Sequence, residues 1–72
     1  MSKVKQYYIL QWQNKYSGET GFVGHIREKY FENTYNVDEA RKFANVGSAL
    51  LAINKLSLIG ECDNNDFSVV PL

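Results

Sequence analysis

The sequence predicts a single α+β domain in which two helices cover one face of a three-stranded antiparallel sheet. Two stretches of alternating apolar and polar residues indicate strands, and a short valine-rich stretch further along indicates a third. Between them, apolar residues recur at helical spacing. The order of elements is therefore β-β-α-α-β, within one domain that spans residues 1–72.

The first two strands are predicted to form a hairpin. Residues 5–13 alternate in character, which places one set of side chains toward the core: Tyr8, Leu10 and Trp12. Residues 14–21 are rich in glycine, serine and asparagine, as turns are. Alternation resumes over residues 22–26, and so short a connection requires antiparallel pairing. Gly24 is expected opposite Trp12, where the missing side chain leaves room for the indole.

Two helices are predicted next, each preceded by an asparagine that can cap it. Asn36 precedes a short helix over residues 37–43, which has acidic residues at its start and basic ones near its end. Asn45 precedes a longer amphipathic helix over residues 46–56. Three of its residues are expected to pack against the first strand: Leu50, Ile53 and Leu56.

The last predicted strand, residues 67–70, decides the order of the sheet. It is followed by Pro71, which lacks a backbone donor and suits a sheet edge. Placed beside the first strand, it gives the order 2-1-3. Residues 29–32 are expected to extend the second strand or to turn the corner after it. With both helices on one face, the opposite face is left open, and three side chains are expected on it: Tyr7, Ile9 and Val23.

Composition narrows the class of partner. Eight basic and eight acidic residues cancel, whereas nucleic-acid-binding domains carry the basic excess that phosphate binding requires. No apolar stretch approaches the roughly 20 residues of a membrane helix, and no signal-peptide pattern is present. The single cysteine, Cys62, excludes an internal disulfide and suits a reducing compartment. We therefore expect a cytoplasmic protein with no membrane partner, and the balanced charge disfavours a nucleic-acid partner.

No combination of residues predicts a catalytic, cofactor or metal site. His25 and Cys62 could form a base and nucleophile pair, but a strand histidine and a turn thiol are ordinary without one. The acidic turn 61–66 lacks the ligand spacing of a calcium loop. The glycines of G-x-x-G-x-x-G precede a strand, whereas a phosphate loop leads into a helix. The sequence thus predicts a protein that is not an enzyme.

Aromatic residues make up 14% of the chain and indicate where a partner could bind. Tryptophan and tyrosine recur at the centres of protein interfaces, although tyrosine rings are also often buried with only the hydroxyl in water. Three tyrosines in or beside predicted loops join the open-face residues as candidates for interaction: Tyr16, Tyr30 and Tyr35.

Three segments resemble a type of small, uncharacterised phage and prophage protein. Residues 7–10 form the tyrosine-rich opening strand, residues 36–43 contain the pattern D-E-A-x-x-F, and residues 67–72 form the valine-rich last strand. The resemblance implies an accessory protein, similar in size to some inhibitors of host defence. It carries over no functional residue.

Two functions follow from these observations. The first is a protein-interaction module that forms a homodimer and acts on a host protein, because a small domain without disulfide or metal often gains stability by association. The alternative is a binder of a nucleotide-like ligand or single-stranded nucleic acid. In that case Trp12, Tyr30 or Tyr35 would stack on bases, and Arg27 and Lys29 would bind phosphate.

Overall fold

The computed structural model describes residues 6–72 as one antiparallel sheet with a helix packed on it. The sheet contains four strands: β1 (Tyr8–Asn14), β2 (Thr20–Ile26), β3 (Phe31–Thr34) and β4 (Asn65–Pro71). Their spatial order is β3-β2-β1-β4. The helix α1 (Val46–Leu58) packs against β1 and β4. No helix in this part of the chain is long and apolar enough to cross a membrane.

The α+β class, the antiparallel hairpin and the position of the last strand beside the first are confirmed. β1 pairs with β2 on one side and with β4 on the other. The β1–β4 ladder is the longer of the two, and Pro71 occupies its end opposite Tyr8. The first strand was expected from residue 5, which lies outside the described residues, and it begins at Tyr8.

The prediction of three strands in the order 2-1-3 is wrong, because β3 adds a fourth. β3 pairs with β2, and the register between them shifts between Val23 and Ile26. Its sequence, Phe-Glu-Asn-Thr, is too short and too polar to indicate a strand by alternation alone. Its strand conformation therefore depends on the backbone hydrogen bonds offered by β2.

The predicted short helix over residues 37–43 is also wrong. Asn36 does cap a turn, accepting a hydrogen bond from the Asp38 N–H at 3.0 Å, but the turn is a three-residue 3₁₀ segment, Val37–Glu39. The chain then extends and bonds to the sheet. The N–H of Arg41 donates to the carbonyl of Val23 at 3.0 Å. Phe43 and Tyr8 exchange two backbone bonds of 2.8 and 2.9 Å.

These bonds explain why no helix forms. The ladder between β1 and β2 ends at the pair Gln11 and Phe22. The backbone groups of Tyr8 and Val23 therefore need other partners. Residues 40–43 supply those partners by joining both strands. Bonds within a short helix would leave these backbone groups of Tyr8 and Val23 unsatisfied.

The turn between β1 and β2 is organised by Asn14. Its Oδ1 accepts hydrogen bonds from the N–H groups of Tyr16 and Ser17, both at 2.9 Å. Gly18 follows with a φ of +74°, a conformation that glycine adopts without a steric penalty. The N–H of Asn14 then bonds to the Glu19 carbonyl at 2.8 Å, which closes the hairpin.

Trp12 lies against a glycine of β2, but the glycine is Gly21 and not Gly24. Trp12 and Gly21 are partners in the ladder. A Cβ atom added to Gly21 would lie 2.7 Å from the indole ring, which is closer than real contacts allow. Gly24 instead lies against the backbone of Glu32 in β3. A glycine does leave room for the indole, as expected, but β1 and β2 pair in a register that makes this glycine Gly21.

α1 begins where the sequence predicts, because the Asn45 side chain accepts a hydrogen bond from the Ser48 N–H at 2.8 Å. It ends two residues later than predicted, before Gly60, whose φ is +86°. Its core face consists of Ala49, Ala52 and Leu56, with Ile53 partly buried beside them. The expectation that Leu50 belongs to the core is wrong, since 54% of Leu50 is exposed.

The core lies between α1 and the sheet. It is formed by seven buried residues: Leu10, Trp12, Val23, Phe43, Ala49, Ala52 and Leu56. At one end, the rings of Phe31 and Phe67 meet edge to face with centroids 5.5 Å apart. Phe31 belongs to β3 and Phe67 to β4, the two edge strands. The sheet is therefore curled strongly enough for its edges to approach each other.

We predict that Leu56→Ala lowers the free energy of unfolding by about 2–5 kcal/mol, because it removes a fully buried side chain. Leu50→Ala, six residues earlier on the same helix, should change it by less than about 1 kcal/mol. Urea denaturation at low protein concentration measures both, with self-association kept out of the comparison. Equal effects of the two changes would contradict the orientation of α1.

We predict that Gly21→Ala lowers the free energy of unfolding by about 1–3 kcal/mol, because the new methyl group collides with the indole. The penalty should shrink in a Trp12→Leu background, where the ring is absent. A double-mutant cycle measured by denaturation tests this coupling. A penalty that is the same in both backgrounds would mean that the two residues do not pack together.

Candidate interaction surfaces

Of the six residues expected to form an interaction surface, four are exposed and two are buried. Exposed side chains are those of the tyrosines: Tyr7, Tyr16, Tyr30 and Tyr35. Ile9 and Val23 were expected to be open to solvent, and this is wrong, since their exposed fractions are 1% and 0%. Neither residue can take part in a surface of this chain without a rearrangement of the fold.

The register of the sheet explains the position of Val23. Gln11 is the partner of Phe22, so both lie on the face that points away from α1. Val23, the next residue, therefore points toward the helix and joins the core with Leu10. Because side chains alternate along a strand, an error of one residue in register exchanges the two faces.

Ile9 is buried although it lies on the side of β1 opposite Leu10. It occupies the central strand, with Val70 of β4 as its ladder partner. On the other side of β1, residues 40–43 are bonded to Tyr8 and contribute the buried Ala40. The sheet face opposite α1 is therefore not the open apolar patch that the sequence predicts.

The exposed tyrosines do not form one surface. Tyr16 lies in the β1–β2 turn, whereas Tyr30 precedes β3 and Tyr35 follows it. At about 3.3 Å per residue, the length of β3 separates Tyr30 from Tyr35 by roughly 16 Å. Tyr35 is the one with specific contacts: its ring lies 6.1 Å from Trp12, and its Oη donates to Glu19 Oε2 at 2.5 Å.

Among the residues proposed to bind a nucleotide-like ligand, Arg27, Lys29 and Tyr30 share the turn between β2 and β3, where the Arg27 N–H donates to the Tyr30 carbonyl at 2.8 Å. Trp12 is only 5% exposed, so its ring cannot accept a stacked base. Arg27 is engaged with Glu32, whose Oε2 lies 2.7 Å from both its Nε and Nη2 atoms. The stacking alternative therefore loses one of its three candidate rings, and one of its two cations is already paired.

His25 and Cys62 lie in different elements. His25 is an exposed residue of β2, and Cys62 is half-buried in the 3₁₀ turn Glu61–Asp63 that follows α1. Among residues 6–72, no hydrogen bond joins the two side chains, and no group of three His, Cys, Asp or Glu residues is placed to hold a metal ion.

A surface that the sequence analysis missed lies on the outer face of α1. Leu50, Leu51 and Leu58 are 54%, 71% and 82% exposed. With Gly47 and Asn54 they line the side of α1 directly opposite its core residues, and we call these five residues the leucine stripe. The sequence feature that could have predicted this orientation is the pair Ala49 and Ala52, because small side chains let a helix lie closer to a sheet than leucine does.

α1 carries unusually little charge for a helix with an exposed face. Lys55 is the only charged residue among its thirteen. A surface helix normally places charged and polar residues opposite its core face, and a helix that is apolar on both faces is normally buried on both. In the described chain, only the alanine-rich face of α1 is covered.

The bond between Tyr35 and Glu19 raises the pKa of Tyr35. The carboxylate of Glu19 accepts a hydrogen bond from the phenol O–H and so stabilises the protonated form, and partial desolvation and the negative charge of Glu19 raise the pKa further. We predict that Glu19→Gln lowers the Tyr35 pKa toward the usual tyrosine value of about 10. NMR titration of the tyrosine ¹³Cζ signals measures this change, with Glu28→Gln as the control. A Tyr35 pKa that does not respond to Glu19→Gln would contradict the bond.

Comparison with known proteins finds no match for this chain. The D-E-A-x-x-F segment, on which the resemblance to small phage proteins depends, forms a 3₁₀ turn and an extended segment rather than a helix. That resemblance stays a prediction. No protein-family model matches the sequence, and neither a curated protein nor a solved structure matches it.

Proposed function

We propose that this protein is a non-enzymatic protein-interaction module that forms a homodimer through the leucine stripe of α1. The observation that carries the proposal is a helix with two apolar faces, of which the chain covers one. Exposed contiguous apolar patches mark interaction sites on soluble domains. The sequence predicts a dimer through the sheet face of Ile9 and Val23. We propose instead that its interface is the outer face of α1.

Charge favours a second copy of the same chain as the occupant. In a two-fold contact each residue faces a different residue of the second copy, so a surface without charges can meet its own copy without opposing like charges. The leucine stripe contains no charged residue, and Lys55 lies at its margin. Depletion of charge at the centre of a contact is typical of protein interfaces.

The spacing of four of the five stripe residues is self-complementary. In one antiparallel pairing related by a two-fold axis, residues whose numbers sum to 105 face each other, and Leu50 then faces Lys55 at the margin. Gly47 then faces Leu58 of the second copy, so the glycine leaves space for the large side chain. Leu51 faces Asn54, near the axis. The spacing of three and four residues along the stripe is the one by which paired helices interlock.

The expected affinity is modest. Each leucine contributes about 1.5–3 kcal/mol when its burial is complete, and the three are already partly covered in the monomer. Association costs about 4–15 kcal/mol in lost freedom of motion. A helix of thirteen residues is only about 20 Å long, so the contact is small. We therefore expect a dissociation constant in the micromolar range.

We predict that Leu51→Glu combined with Leu58→Glu abolishes the dimer, because four carboxylates would then meet in an apolar contact. The control is Tyr16→Glu, which places one such carboxylate on another highly exposed residue, in the hairpin turn. Sedimentation equilibrium from about 5 to 500 µM spans the expected dissociation constant. Circular dichroism of each variant verifies that the fold is retained.

Wild-type protein should change from monomer to dimer over this range, and only the double helix variant should remain monomeric. Wild-type protein that is monomeric throughout would overturn the proposal. So would a dimer that Tyr16→Glu disrupts and the helix variant does not, since the interface would then involve the tyrosines. Action on a host protein, expected from the resemblance, stays a prediction about what the dimer binds.

A further inference from the structure

A recess of about 280 Å³ opens where the curled sheet meets the turn after α1. It is bordered by the β1–β2 hairpin, by β3 with the residue that follows it, and by the segment joining α1 to β4. Three aromatic rings, two carboxylates and three amides line it: Trp12, Phe31, Tyr35, Glu19, Glu61, Asn14, Asn33 and Asn65. None of these side chains is basic.

The negative charge of the recess is not neutralised by the nearest lysine. Lys15 follows Asn14 directly, but its Nζ bonds to the carbonyl of Cys62 at 2.8 Å and lies 3.8 Å from Asp66 Oδ1. Lys15 does not line the recess. Glu19 and Glu61 therefore face an opening without a cation of this chain among its lining residues.

The aromatic residues of the recess are held in fixed positions. Trp12 packs on Gly21, and its Nε1 donates to the Phe22 carbonyl at 3.2 Å. The ring of Tyr35 stands edge-on to the indole, at an interplanar angle of 61°. The Oη of Tyr35 in turn holds the carboxylate of Glu19 at the rim. The ring wall and the first carboxylate are thus one connected unit.

This arrangement suits a planar organic cation. Aromatic faces attract cations through the ring quadrupole, and guanidinium groups also stack on them. Carboxylate and amide oxygens accept the several N–H groups that a guanidinium presents in one plane. A quaternary ammonium ion has no such donors and would leave those oxygens unused. A volume of about 280 Å³ lies at the lower limit of ligand pockets, which fits one side chain.

We propose that the recess binds the guanidinium group of an arginine side chain presented by another polypeptide. Glu61 and Glu19 accept its N–H groups, the Tyr35 ring covers one of its faces, and the asparagines bind at the margin. The proposal does not depend on the dimer, since the recess and the leucine stripe share no residue. An experiment that contradicts one proposal therefore does not contradict the other.

The test is a titration of the full ¹⁵N-labelled chain with N-acetyl-arginine methylamide, followed by NMR. The citrulline analogue, which has nearly the same shape and no charge, is the matched control ligand, and tetramethylammonium chloride tests for a cation without donors. We expect saturable shifts with arginine at the amides around residues 14, 19, 35, 61 and 65. The Leu51→Glu, Leu58→Glu protein should bind equally well, which separates this test from that of the dimer.

Variants of the recess residues measure how much each side chain contributes to arginine binding. Glu61→Gln keeps the size of the side chain and removes its charge, and it should weaken arginine binding about threefold to fivefold at low salt. Glu28→Gln removes an exposed carboxylate that does not line the recess and should have no effect. Tyr35→Ala should weaken binding by removing the ring wall, whereas Tyr35→Phe should retain most of it.

Three results would overturn the proposal. The first is equal binding of the citrulline and arginine ligands, because charge recognition is its central claim. The second is a set of shifts that lies away from the recess. The third is an affinity that Glu61→Gln and Glu28→Gln change to the same extent, with the dispersion of the spectra verifying that each variant is folded.

Discussion

The contact of the Trp12 indole with Gly21 is the constraint on which much of this structure depends. Only a glycine leaves space for a ring directly across the ladder, so the contact requires one particular register between β1 and β2. That register turns Val23 toward the helix and Phe22 away from it. It also places the indole edge-on to the ring of Tyr35, where both rings line the recess.

The second determinant is the distribution of large and small residues around α1. Ala49 and Ala52 face the sheet, while Leu50, Leu51 and Leu58 face outward. Small residues allow a helix to lie close to a curled sheet, where larger ones would have to be accommodated by separation or by strain. The arrangement leaves a helix with two apolar faces, and the outer one is the reason for proposing a dimer.

The sequence left open whether the loop tyrosines are buried or exposed, and the structure shows them exposed. The sequence analysis missed both surfaces proposed above. The leucine stripe was missed because an amphipathic pattern identifies the apolar positions of a helix, and α1 has apolar residues on two sides. The recess was missed because its carboxylates are 42 positions apart, at residues 19 and 61. Only the return of β4 beside β1 brings the hairpin near the end of α1.

Local chemistry in the sequence determined the α+β class, the hairpin and the start of α1 at Asn45. Each of these follows from alternation, capping or turn residues within a few positions of one another. Tertiary structure decided the rest. Residues 40–43 became extended because Tyr8 and Val23 required backbone partners. β3 exists because β2 offers it a ladder, and the burial of Ile9 and Val23 depends on register, which no single segment of the chain contains.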